Sequence, residues 1–288
     1  MSLRDYFLAA LATALFGINY VVIKVAVGYV PPLFVTALRF VLVAAVLLWF
    51  FPMPKGLLRP VLVISVVQGL LHHGLMFIGM GGVDAAIGAI IMQLGTPFAA
   101  LFAWVVLGEK FGWRRTFGLV VAFVGVALLV GEPDVWSANY YVILLVLSGM
   151  CWGYVNVYIK RIGEVNILQL TAWLSVFAAP QLLIASAVFE QGQIEALLAA
   201  PGYIWGLLGY MSLCSTVAAY GIWYYLLARY DVAQIIPFAL LNPALGALSG
   251  IVLLGEELTF VKLTGGAIVL AGVAIIQLRW KRTVSPTD

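Results

Sequence analysis

The amino-acid sequence predicts an all-α integral membrane protein: ten transmembrane helices in two inverted five-helix repeats, with both termini cytoplasmic. Three observations predict it. Hydrophobic residues fill 64% of the 288 positions and charged residues only 9%, whereas soluble domains run about 45–50% apolar and about 25% charged. The apolar residues fall into ten continuous runs with no strand-like alternation. The basic residues crowd onto one side of those runs. Disorder is excluded as well, because it requires low hydrophobicity and high charge.

Each run needs about 20 apolar residues to cross the hydrocarbon layer, so ten runs leave roughly 88 residues for tails and connections. A soluble catalytic domain does not fit in that remainder. The first run, 6–27, exceeds the roughly 7–15 residues of a signal core and lacks a small-residue cleavage site, so no cleaved leader is expected. The second, 33–51, lies between Pro31-Pro32 and Pro52-Met53-Pro54, and the third, 60–80, stops at Gly81-Gly82. The fourth and fifth, 85–107 and 115–131, are followed by Gly131-Glu132-Pro133. Then come 139–160, 167–189, 203–228 after Pro201-Gly202, 232–254 and 261–280. The breaks have turn chemistry. The continuous runs suit helices, whose backbone groups are satisfied within each segment.

With the amino terminus inside, Arg4, Lys55, Arg59, Lys110, Arg114, Arg115, Lys160, Arg161, Arg229, Arg279, Lys281 and Arg282 all face the cytoplasm, 12 of the 15 basic residues. The outer connections hold Glu132, Asp134, Glu190 and Glu195 instead. This split follows the positive-inside rule. The net charge of +3 is scattered, so no nucleic-acid partner is expected. Cys151 and Cys214 sit in apolar runs and read as buried reduced thiols, with no metal-ligand spacing.

The chain also repeats itself. Phe16-Gly17 through Asn19 to Lys24 matches Trp152-Gly153 through Asn156 to Lys160, 136 residues later. Leu107-Gly108-Glu109 matches Leu254-Gly255-Glu256, and Gly118 and Gly125 match Gly265 and Gly272, all at an offset of 147. Pro97 faces Pro243 one residue out of step. The division is 1–134 and 135–288, with five runs in each part. An odd number per repeat means that the second part enters the membrane from the opposite side, the inverted arrangement of many secondary transporters.

These markers resemble the drug/metabolite transporter superfamily, more narrowly its EamA-type ten-helix exporters, and among them the YddG-type bacterial amino-acid exporters. The resemblance covers about 6–280. It implies a basket in which runs 1, 3, 4, 6, 8 and 9 enclose a central cavity while runs 5 and 10 support it. It also implies export of aromatic and other neutral amino acids across the bacterial inner membrane. Gly17, Lys24, Gly108, Glu109, Gly153, Lys160, Gly255 and Glu256 are the positions that carry the family pattern.

Polar residues inside a span are costly and face the interior by default. They single out Asn19, Gln68, His72, Gln93, Asn156, Tyr220, Tyr224 and Asn242, with Met76 continuing the Gln68–His72 face at four-residue spacing and Trp152 on the face of Asn156. These are the substrate-cavity candidates, and interhelical bonding is the competing role for the amides and tyrosines. Of His72 and His73, only one is expected to face the cavity, His72 by its spacing from Gln68. A histidine there opens the option of proton coupling. Lys24 and Lys160 are expected to snorkel, Arg39 to pair or snorkel, and Glu109 and Glu256 to cap helices or form ion pairs. The glycines of runs 5 and 10 permit close approach, within the chain or between two copies. Pro97, Pro237 and Pro243 remove backbone bonds inside spans and are the candidate gating positions.

No catalytic motif, metal set or nucleotide-binding loop occurs, so the chain reads as no enzyme and as using no cofactor beyond a possible proton. The expected function is a secondary-active or facilitative transporter exporting amino acids by alternating access. The alternatives are export of other small metabolites or drugs, such as purine-like or quaternary compounds, and a channel or structural membrane subunit. The expected partners are a small-molecule substrate and the lipid bilayer, for a monomer or homodimer.

Overall fold

A computed structural model describes residues 1–109, 112–130, 139–230 and 232–277, save the side chains at 232, 233, 236, 237 and 240. It is helical throughout, with no strand among the described residues. Helix α1 spans Leu3–Val27, α2 Pro32–Leu47, α3 Leu58–Gly82, α4 Ala85–Leu107, α5 Trp113–Val130, α6 Asn139–Ile162 and α7 Ile167–Phe189. A short α8, Gln193–Ala199, meets α9, Tyr203–Leu227, at a bend of 113°. Helix α10 runs over Val232–Ser249 and on through a π turn at Gly250–Leu254, and α11 spans Phe260–Gln277.

Among the described residues, seven helices are long and apolar enough to cross a membrane, or eight if the bent α8–α9 pair is one span. Pro32–Leu47 is a shorter apolar helix, and α10 carries the apolar stretch Leu241–Leu254. The run expected to reach residue 51 thus ends as a helix at Leu47. The last carbonyl groups turn there to Leu48, Phe50 and Phe51 ahead of Pro52. The apolar faces that remain exposed, including Phe117, Val120, Val124 and Leu128 on α5, are those a bilayer would cover.

The starts and stops are chemically explicit. The Asp5 amide donates to Ser2 Oγ at 3.2 Å, opening α1, and Tyr230 Oη donates to Asp5 Oδ2 at 2.6 Å, tying that end to the chain after α9. Pro32 sits in the first turn of α2, where its missing N–H costs nothing. The first free amides of α2, Leu33 and Phe34, donate to Glu190 at 2.7 and 3.0 Å. Those of α4, Ala85 and Ala86, donate to Glu256 at 2.6 and 3.1 Å. Both are carboxylates placed where the helix dipole favours negative charge. Gly108 and Gly255 close their helices at φ of +66° and +68°. At each, the following glutamate amide reaches back six residues, to Ala103 and Gly250, in a Schellman closure.

Packing repeats at the same spacing. A Cβ on Gly17 would lie 2.7 Å from Leu245 Cβ, and one on Gly153 would lie 2.8 Å from Phe98 Cβ. Leu245 and Phe98 are 147 residues apart. The two signature glycines therefore seat α1 on α10 and α6 on α4 at equivalent points. Helices α5 and α11 pack chiefly on each other. Gly118 faces Gly272 and Gly125 faces Gly265, so they run antiparallel in backbone contact. The glycine ladder thus serves packing within the chain. In lipid such contacts act through dispersion and close fit rather than the hydrophobic effect.

Candidate functional site

Helices α3 and α9 share an irregularity. Ser65–His73 and Tyr210–Ala218 both have π-type i→i+5 bonding, nine residues each, and they start 145 residues apart. Such turns are frequent at functional sites. The wider turn alters which residues align. Gln68 and His72 were expected to share a face at α-helical spacing. Instead the Gln68 carbonyl accepts from His73 Nδ1 at 2.6 Å. His72 turns to α6, where its Nδ1 lies 3.0 Å from the Ser148 carbonyl and Ser148 Oγ donates to the His72 carbonyl at 2.8 Å. Because the carbonyl only accepts, Nδ1 holds the proton. Both rings are buried, and His73 stands edge-on to Phe40 at 5.0 Å. Met76 is packed in the core.

Arg39 lies in the same region. It is the eighth residue of the sixteen in α2 and is 4% exposed. Its Nε and one terminal nitrogen donate to Thr216 Oγ1 on α9 at 3.2 and 2.7 Å, and its guanidinium carbon lies 5.8 Å from the Phe77 ring centre on α3. It neither snorkels nor pairs with a carboxylate among the described residues.

One turn beyond Thr216, Tyr220 and Tyr224 stack at 6.2 Å, and Phe16 of α1 stands edge-on to Tyr220 at 5.1 Å. Both tyrosines are half-buried. Asn19 is buried on α1, and Asn242 is half-buried on α10, which packs against α1. The carboxamide oxygen of each has no hydrogen-bond partner among the described residues. Leaving such a buried acceptor unmet costs about 1–3 kcal/mol. Gln93 is half-buried beside a 3₁₀ turn at Met92–Leu94, just before Pro97. The Trp152 ring covers Gly95 of α4, and Asn156 is exposed with its amide donated to its own helix at the Trp152 carbonyl, 2.7 Å. Pro243 is buried within α10, whereas the Pro237 side chain lies outside the described residues.

The remaining marked positions lie at the helix ends. Lys24 Nζ donates to the Gly81 carbonyl at 3.2 Å, and Lys160 Nζ lies 2.7 Å from Glu109. Glu109 also pairs with Arg115 at 3.3 Å. The Lys160 bond, with Arg115 acting in the same direction, holds the Glu109 carboxyl below its ordinary value. The two thiols, Cys151 and Cys214, are free and half-buried rather than fully buried. No cluster of His, Cys, Asp and Glu suited to a metal occurs among the described residues. Sequence reasoning passed over Thr216 and Ser148, took Phe16 only as part of the repeat signature and expected Arg39 to pair or snorkel. The available signal was a mid-helix arginine in a chain whose acidic residues all fall outside the span interiors.

Long apolar helices around buried polar side chains define a multi-pass membrane protein. The EamA-like transporter family matches residues 3–131 and again residues 139–278. The chain belongs to that family, and is a membrane transporter of it. A Salmonella typhimurium protein named "Probable amino-acid metabolite efflux pump" is 29% identical over 96% of this chain and 95% of its own. An Escherichia coli K12 protein of the same name is 27% identical over 99% of both. The Bacillus subtilis transporter YoaV is 24% identical over 91% of this chain and 92% of its own. One solved crystal structure shares the fold with a TM-score of 0.61 at 18% identity, covering 96% of this chain and 97% of that one.

Proposed function

We propose that this transporter exports neutral amino acids, aromatic ones included, across the bacterial inner membrane by alternating access between two inverted repeats, 1–134 and 135–288. The ten spans are the seven long helices, the α8–α9 pair taken as one, α2 and α10, with both termini cytoplasmic. One observation carries the carrier reading: Gly17 on Leu245 and Gly153 on Phe98 are reciprocal contacts, each between an early helix of one repeat and the fourth helix of the other. Two equivalent interfaces related by inversion are what a rocking carrier requires. The names of the Salmonella and Escherichia relatives support the substrate class.

In this reading the unmet carboxamide oxygens of Asn19 and Asn242 accept from the substrate ammonium. Tyr220, Tyr224 and Trp152 offer ring faces to its side chain. Gln68, Gln93 and Asn156 are polar positions along the path, and Pro97, Pro237 and Pro243 let α4 and α10 flex. Transport is driven by the substrate gradient or by proton antiport through His72 or His73.

Purified protein in liposomes tests the reading. Labelled phenylalanine should show saturable counterflow that unlabelled neutral amino acids suppress. Non-saturable flux, or none from correctly folded protein, rejects it. Flux with and without an imposed pH gradient, in wild type and in His72→Gln and His73→Gln, separates the two driving forces.

A further inference from the structure

The guanidinium of Arg39 is buried in the helical bundle and has no counter-ion among the described residues. A guanidinium has five N–H donors and stays charged. Two of the Arg39 donors meet Thr216 Oγ1, a neutral oxygen that itself donates to the Met211 carbonyl at 2.8 Å. The Phe77 ring face adds a weak attraction. An uncompensated ion in such surroundings costs several kcal/mol, and membrane proteins retain one where it has work to do.

Among the described residues no carboxylate pairs with it. The described acidic residues, Asp5, Asp84, Glu109, Glu164, Glu190, Glu195, Glu256 and Glu257, fall at helix ends or in connections. Several are engaged elsewhere: Asp5 with Ser2 and Tyr230, Asp84 with Lys262, Glu190 and Glu256 with helix amides. A carboxylate brought by a bound molecule would meet that charge.

We propose that Arg39, aimed by Thr216, is the anchor for the carboxylate of the transported substrate. The proposal rests on the amino-acid reading above and adds the residue that recognises the acid group. The surroundings fit. The guanidinium is gripped by the π segment of α9, where Thr216 reaches it and Ser212 Oγ donates to the Arg39 carbonyl at 3.3 Å. From Thr216 the same helix continues at four-residue steps to Tyr220 and Tyr224, with Phe16 against them. A carboxylate held at Arg39 leaves an apolar or aromatic side chain to run along those rings. The planar fork of the guanidinium matches a carboxylate in two parallel bonds, which an ammonium or an uncharged amide cannot reproduce.

The test uses L-phenylalanine, L-phenylalaninamide and 3-phenylpropanoate on the full protein. In liposomes, wild type should prefer phenylalanine to its amide by at least about ten-fold. Arg39→Gln should raise the KM for phenylalanine about ten-fold or more while shifting inhibition by the amide by less than about three-fold. Arg39→Lys should keep part of the preference, and Thr216→Val should reduce it. In detergent, 3-phenylpropanoate should raise the melting temperature of wild type but not of Arg39→Gln. If Arg39→Gln does not insert, Thr216→Val and Arg39→Lys carry the comparison. An unchanged phenylalanine-to-amide ratio in folded Arg39 variants overturns the proposal while leaving amino-acid export standing. Absent phenylalanine counterflow with Arg39-dependent stabilisation by 3-phenylpropanoate rejects amino-acid export and keeps the carboxylate anchor. No stabilisation by either acid in folded wild type overturns both.

Discussion

Substituting Gly272→Ala should loosen the α5–α11 pair. The added Cβ would stand 2.5 Å from the Ala122 amide nitrogen, 2.6 Å from the Gly118 carbonyl and 2.9 Å from Ala122 Cα. All three are backbone atoms of α5, so no side chain can swing aside. Carbon–carbon contacts are optimal at about 3.5–4.0 Å, so the helices have to part by roughly 1 Å at this crossing. Gly125 and Gly265, at the other end of the same contact, then lose their fit. Overpacking of this kind costs about 1–3 kcal/mol, and at about 2–4 °C per kcal/mol the melting temperature should fall by roughly 2–12 °C. Gly206→Ala is the internal control, since nothing lies within 4 Å of its Cβ position. There the lower backbone entropy of alanine should leave stability equal or raise it by about 0.5–1 kcal/mol. Melting followed by size-exclusion in detergent reads both. If Gly272→Ala melts with or above wild type, the backbone-contact account of this pair is wrong.

Three further outcomes follow from the contacts. Glu256→Ala strips the cap from Ala85 and Ala86 and should cost about 0.5–2 kcal/mol, seen as an earlier denaturant or thermal midpoint, while Glu257→Ala, one residue on, should not. The Glu109 carboxyl is held below its ordinary value of 4.5, so its contribution to stability is complete above that pH and is lost as the pH falls through the lowered folded value. Glu109→Gln should therefore flatten the acid limb of the melting profile, and an unchanged limb would remove Lys160 and Arg115 as its cause. Pro97→Ala with Pro243→Ala restores two backbone bonds and should slow counterflow without reducing insertion. Unaltered rates in both single variants and the double would dismiss α4 and α10 as flexing elements.

Much of the architecture was readable because its signals are local. Apolar runs marked the helices, and the Gly17 and Gly153 signatures recur because a Cβ at either would strike the helix seated on it. Gly108 and Gly255 recur because each closes a helix at positive φ. The π segments left no such mark. Their register is set by partners distant in sequence, Thr216 by Arg39 and His72 by Ser148. The i→i+5 bonding there is why four-residue spacing did not foresee the bond between His73 and the Gln68 carbonyl. The short α8 carries too few apolar residues to stand out beside the long runs. Arg39 was undervalued because its own helix shows only an isolated charge. Its meaning lies in the positions of every acidic residue in the chain.

The bond between Arg39 and Thr216 also sets an order of events during synthesis. Thr216 is made 177 residues after Arg39. At about 5–20 residues per second, the arginine waits roughly 9–35 s for this hydroxyl partner. For that interval α2 is a marginal membrane segment carrying a charge it cannot satisfy, in a nascent chain whose α1 still lacks α10. Until α9 arrives, such a segment depends on the insertion machinery and neighbouring headgroups to hold it at the membrane. Folding of the amino-terminal part is thereby coupled to completion of the chain.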